Sequence, residues 1–144
     1  MISLAQAELE QLKLLAEVAY PEEFCAILVG TRDGNNSRLK RVLPTPNAHE
    51  HPRRAYAIAP AAVILAQRKS RDEDLQILGF VHSHPDHAAM PSKTDLDQAL
   101  WLGCVYGIVS VRAGKFAAIS FFRLAGGTVE DRRFLPEEVL LMKT

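Results

Sequence analysis

The seven residues from Phe24 to Gly30, FCAILVG, carry no polar side chain and follow closely on Pro21, which stops the preceding helix. A run this short and this apolar has the pattern of a strand covered on both faces. A chain that contains one needs a sheet with packing layers on either side. The flanking segments supply them. From Leu4 to Ala19 the polar residues Gln6, Glu10, Lys13 and Glu17 recur at helical spacing, which predicts a helix with a narrow wet stripe. After the apolar run, TRDGNNS is a turn cluster that leads a hairpin into RLKRVLPTP. NAHEHPRR reads as a loop and AYAIA as a short strand. Pro60 suits the first turn of a helix continued by AAVILAQRKSRDED.

LQILGFVHSH is the next strand, closed by Pro85, because proline cannot donate to a ladder. PSKTDLDQALWLG opens with a capping pattern and ends at Gly103, which predicts a helix of about three turns. VYGIVSV, a turn at RAGK and FAAISFFRL form a final hairpin, and the remaining residues trail through glycines into a last strand or short helix. The order α-β-β-β-α-β-α-β-β describes a mixed α/β or α+β fold, a sheet with helices packed against it. With 144 residues, 48% of them hydrophobic, and no repeat or long linker, one domain over residues 1–144 is expected.

Charge and cysteine usage narrow the function classes. Seventeen basic residues balance seventeen acidic ones, which removes the electrostatic argument for binding nucleic acid or an anionic membrane. Cys25 and Cys104 lie in apolar runs, too few and too far apart for a disulfide framework or a cysteine zinc site. MISLAQAELEQ has neither the basic nor the apolar region of a signal peptide, and ALWLGCVYGIVSV is well short of a membrane span. A cytoplasmic protein is expected.

The stretch GFVHSHPDHAAMPSKTD concentrates the chemistry. Side chains alternate faces along a strand, so His82 and His84 project from the same side with Cα atoms roughly 6–7 Å apart. Two imidazoles at that separation can reach one zinc at about 2.0–2.1 Å. Asp95, in the first turn of the following helix, is placed to return a carboxylate as third ligand. Ser92 and Asp95 also make a variant capping box, which alone justifies both residues, and the two readings coexist. Three protein ligands with a fourth position left to water describe a catalytic rather than a structural zinc site. Such a site needs a base that does not ligate, and YPEEF offers Glu22 and Glu23. His49 and His51 form a second H-x-H, but in a loop bounded by Pro46 and Pro52, where solvent exposure or substrate contact is the expectation. His87 is read as a loop histidine.

The set Glu23, then His82-Ser83-His84-Pro85, then Ser92 and Asp95, with seven residues between His84 and Ser92, resembles the motif of the JAMM (MPN+) metalloprotease family, in its short bacterial and archaeal form. AAMPS before the helix, YPEEFCAILVG, and Asn47 followed by AYAIAP extend the resemblance over nearly the whole chain. It implies a curved mixed sheet flanked by helices, of the MPN/JAB1 (cytidine-deaminase-like) kind. It also implies that His82, His84 and Asp95 bind one zinc, that Glu23 is the acid/base, and that Ser92 steadies the oxyanion. Ser83, facing away from the metal, is left with structural hydrogen bonds. Ala26 departs from the glycine usual in relatives. The implied reaction is hydrolysis of a peptide or isopeptide bond after the Gly-Gly tail of a ubiquitin-like or sulfur-carrier protein. The short span between Asp95 and Tyr106 points to a small β-grasp carrier. Two alternatives stay open: a non-catalytic scaffold of the same fold, and a DNA-associated relative of the RadC type. The oligomeric state is not legible.

Overall fold

The computed structural model describes residues Met1–Lys143. In chain order the elements are β1 (Ile2–Ala5), α1 (Gln6–Ala19), β2 (Cys25–Asp33), β3 (Asn36–Thr45), α2 (Pro60–Asp72), β4 (Gln76–Pro85), α3 (Lys93–Gln98), β5 (Val105–Arg112), β6 (Lys115–Ala125), β7 (Arg133–Pro136) and β8 (Val139–Met142). All eight strands join one mixed sheet in the order β7-β6-β5-β4-β2-β3-β1-β8. β4 runs parallel to β5 and antiparallel to β2.

β7 and β8 stand at opposite ends of that order, yet only Glu137 and Glu138 separate them in sequence. Crossing seven strand spacings of a flat sheet takes about 34 Å at about 4.8 Å each. The chain advances at most about 3.6 Å per residue. The sheet must therefore curl until its edges meet. The two linking residues extend the flanking ladders: Glu137 N donates to Phe121 O of β6 at 2.9 Å, and Glu138 O accepts from Ile2 N of β1 at 2.8 Å. Register shifts beside Val29 in β2 and beside Val111 in β5 add local twist to the same end.

Alternation along β2 divides the core in two. Ala26 and Leu28 join Leu12 and Ala16 of α1, Val81 and Val109 on one face. Ile27 and Val29 join Ala66 of α2, Phe80 and Tyr106 on the other. The FCAILVG run is thus covered on both faces, as its composition requires. Gly79 lets β4 and β5 approach closely, since a Cβ there would lie 1.7 Å from the carbonyl oxygen of Val105.

Three local expectations are corrected. The first residues form β1, and α1 begins at Gln6 rather than Leu4. Ala55–Ala59 is extended but joins no ladder; its Ala55 and Ala57 peptide groups bond to the Asn47 side chain and to Ala48 instead. α3 is six residues long rather than three turns. The carbonyls of Asp97 and Ala99 are taken by the Arg132 guanidinium, and the Trp101 amide donates to the Tyr106 hydroxyl at 3.2 Å. These partners lie outside the helix and end it. The trailing segment forms β7 and β8. Cys25 and Cys104 are buried free thiols.

Candidate metal centre

β4 carries its two histidines on the face that packs against α2. His82 pairs with Cys25, and Phe80 with Ile27, across the β2–β4 ladder. Ser83 points the other way and is fully buried. Its hydroxyl accepts from Phe24 N at 2.7 Å, and its own amide donates to Phe24 O at 2.9 Å. Strand alternation thus has both effects expected of it: it presents the histidines together, and it makes Ser83 the clasp between β4 and the chain entering β2.

The imidazoles meet Asp95. His82 Nε2 and His84 Nε2 are 3.1 Å apart; Asp95 Oδ1 lies 3.2 Å from the first and Oδ2 3.0 Å from the second. All three ligand atoms fall within 4.8 Å of one another, the one such grouping among the described residues. α3 delivers Asp95 through the capping box: Asp95 N donates to Ser92 Oγ at 3.0 Å, and Ser92 N donates to Asp95 Oδ2 at 2.9 Å. Cap and ligand geometry are the same geometry.

The donor set suits a metal cation. His84 Nδ1 faces the carbonyl oxygen of Ala88 at 2.9 Å, an acceptor only, so Nδ1 donates and the neutral ring carries its lone pair on Nε2. Burial lowers the pKa of His82 and keeps that ring neutral too. At His84 the burial that opposes charge is outweighed by the bonds to Asp95 and Ala88, and its pKa is raised. At Asp95, likewise, burial is outweighed by both histidines, which hold the carboxyl well below its usual range. With both rings neutral, two lone pairs from buried histidines and a partly buried carboxylate converge as an N,N,O set of the kind that holds a catalytic zinc.

Glu23 stands beside this cluster without ligating. It is 7% exposed, and burial, only partly offset by His84, pushes its carboxyl up to about 7. Its main chain is pinned: Glu23 N donates to Pro52 O at 2.7 Å, and Asn47 Nδ2 donates to Glu23 O at 3.1 Å. Glu23, His84, Ser92 and Asp95 line one cleft of about 490 Å³, with Tyr56 and His87 also in its wall. Glu22 is exposed and lines a separate shallow surface beside His51. Among the described residues no third ligand joins His49 and His51; His49 Nδ1 accepts from the His51 amide at 2.9 Å.

Two residues of the site carried no role in the sequence reading. Tyr56 stacks on His82 at 4.2 Å between ring centroids and 16° between planes. Asn47 ties Glu23 O, Ala55 O and Ala57 N together through one side-chain amide. The only signal for either was Asn47 followed by AYAIAP.

Comparison with known proteins agrees with this geometry. The family described as prokaryotic homologs of the JAB domain matches residues 5–125. A probable TtuB-protein conjugate cleaving protease of Thermus thermophilus is 35% identical over 95 residues, 65% of this chain and 61% of that protein. A desampylase of Haloferax volcanii is 33% identical over 90 residues, 62% of this chain and 63% of its own length. The match thus spans about three fifths of those two relatives. A CysO-cysteine peptidase of Mycobacterium tuberculosis is 28% identical over 112 residues, 78% of this chain and 75% of that one. Among solved structures, a Desulfitobacterium hafniense protein superposes with a TM-score of 0.86 at 29% identity, covering 100% of this chain and 94% of that chain. The structure described as JAMM, a metalloprotease-like zinc site in the proteasome and signalosome, shares the fold with a TM-score of 0.57 at 18% identity, over 97% of this chain and 98% of that one. With a family match over most of its length and His82, His84 and Asp95 brought together beside Glu23, this chain belongs to the JAMM (MPN+) family, among the prokaryotic JAB-domain proteins.

Proposed function

We propose that this chain is a zinc metallopeptidase or isopeptidase that hydrolyses the amide bond following the C-terminal Gly-Gly tail of a small ubiquitin-like or sulfur-carrier protein. The observation that carries the reading is the convergence of His82, His84 and Asp95 within 3.0–3.2 Å of one another, beside a non-ligating buried Glu23 whose carboxyl is pushed up to about 7. Zinc, when bound, supplies a coordinated water with a pKa near 7 and polarises the scissile carbonyl. His82, His84 and Asp95 are its protein ligands. Glu23 takes a proton from the attacking water and hands it to the leaving amine; a carboxyl tuned near neutrality suits both transfers. The Ser92 oxygen accepts from Asp95 N, which leaves the hydroxyl proton free to donate to the developing oxyanion.

The substrate class is supported by what the relatives are named for: cleaving TtuB-protein conjugates, and peptidase action on CysO-cysteine. The cleft also suits a thin extended tail. In Ala55–Ala59, Ala55 and Ala57 bond inward to Asn47 and Ala48, while the peptide groups of Tyr56 and Ile58 find no partner among the described residues. They form an open main-chain edge at the cleft wall, where an incoming peptide can add as a strand without its side chains being read.

The test is metal analysis of wild type and Asp95→Ala beside cleavage of a fusion joined through a Gly-Gly tail. One zinc per wild-type chain, its loss in Asp95→Ala, and release of the fused partner after the second glycine are expected. A zinc-loaded wild type that leaves every such fusion intact while hydrolysing unrelated small amides would overturn the substrate class. A wild type that takes up no zinc would overturn the metal centre.

A further inference from the structure

The two histidines of the centre are held in different ways. A metal-binding imidazole ordinarily has its second nitrogen fixed by a hydrogen bond, which sets the ring plane. His84 follows that pattern, with Nδ1 bonded to Ala88 O at 2.9 Å. His82 does not: its Nδ1 is buried and has no hydrogen-bond partner among the described residues. Its ring is nonetheless 2% exposed and lies flat against another ring, that of Tyr56, at 4.2 Å and 16°.

Tyr56 is itself firmly placed. Its chain neighbours are bonded on the side away from the cleft, Ala55 O to Asn47 Nδ2 at 2.9 Å and Ala57 N to Asn47 Oδ1 at 3.1 Å. The same Asn47 Nδ2 reaches Glu23 O at 3.1 Å. One amide therefore fixes both the residue that moves the proton and the ring that covers His82.

We infer that Tyr56 is a positioning residue for the metal centre, its ring holding the plane of His82 in the place usually taken by a hydrogen bond to the second imidazole nitrogen. The working part is the ring face, not the hydroxyl, so phenylalanine substitutes for it and an aliphatic side chain of similar bulk does not. This inference rests on the proposed metal centre, and it is tested by metal affinity independently of turnover.

The experiment compares wild type, Tyr56→Phe, Tyr56→Leu and Tyr56→Met, each confirmed as folded in the metal-free state by thermal unfolding. Zinc affinity is measured by competition with a chromophoric chelator at fixed pH, and the visible spectrum of the cobalt(II)-substituted protein reports ligand geometry. Tyr56→Phe is expected to match wild type within about twofold. Tyr56→Leu and Tyr56→Met are expected to lose about 10–100-fold in zinc affinity, the usual effect of losing a group that orients a ligand, with an altered cobalt spectrum. Should Tyr56→Leu fail to fold, Tyr56→Met against Tyr56→Phe decides the matter. Wild-type affinity and an unchanged cobalt spectrum in the aliphatic variants would overturn the inference. So would a Tyr56→Phe variant as weak as they are, since that would make the hydroxyl the operative group. Failure of wild type to bind zinc would instead remove the metal centre itself, a result distinct from either.

Discussion

Glu23 is a carboxyl kept where a carboxylate is uncomfortable. Burial raises its pKa in the fold to about 7, against an ordinary value of 4.5, so ionising it costs folding free energy. A group whose folded pKa is raised contributes most favourably below its unfolded pKa and loses that contribution as pH climbs towards the folded value. Replacing Glu23 with glutamine should therefore stabilise the metal-free protein progressively between about pH 4.5 and 7 and by a constant amount above. After allowance for screening at the cleft mouth, the gain is about 1–2 kcal/mol. The same variant should bind zinc and lose about 10²–10⁴-fold in turnover. Denaturant melts of both proteins across pH, run beside a cleavage assay, check this; a variant equally stable at pH 5 and pH 8 relative to wild type would refute the burial argument. At this scale the sequence was informative where chemistry leaves a local signature. His82 and His84 share a strand face, Ser92 and Asp95 share a cap, and spacing showed both. Tyr56 and Asn47 act through contacts between segments that no local pattern encodes, and so their roles needed the fold.

Among the elements, β4 is the one whose placement decides the site, and its closeness to β5 depends on Gly79. A methyl group there would sit 1.7 Å from the carbonyl oxygen of Val105 and 2.7 Å from its nitrogen, atoms of a paired backbone that cannot yield separately. Gly79→Ala should cost about 3 kcal/mol or more, at the upper end of overpacking effects. Where the protein still folds it should weaken zinc binding, because His82 and His84 ride on the displaced strand. Chemical denaturation with parallel zinc titration measures both, and an unchanged midpoint would contradict the packing described. The elements that sequence placed well, β2, β4 and α2, are those whose ends are marked locally by Pro60, Pro85 and runs of apolar side chains. Misplaced ones had their limits set from afar. α3 is cut short by Arg132, β1 exists because β3 and β8 flank it, and Ala55–Ala59 is extended because Asn47 holds it.

For the molecule as a whole, we propose that residues 1–144 form one domain, because one curled sheet lies between both core faces and only two residues separate its end strands β7 and β8. Equilibrium unfolding should then show one transition, coincident by far-ultraviolet circular dichroism and by fluorescence of Trp101. Separated midpoints would split the domain. Local opening within such a unit is uneven. Two of the three proposed metal ligands sit on β4 in the middle of the sheet, while the third sits on a six-residue helix that buries none of its own residues. If the proposed centre holds zinc, loss of the ion should begin at Asp95, and the occupied centre should act as a latch on that short helix. Amide deuterium uptake across Lys93–Gln98 should slow by about 100-fold when free zinc is raised to a hundred times its dissociation constant, while Phe80–His84 keep their slow uptake with or without the ion.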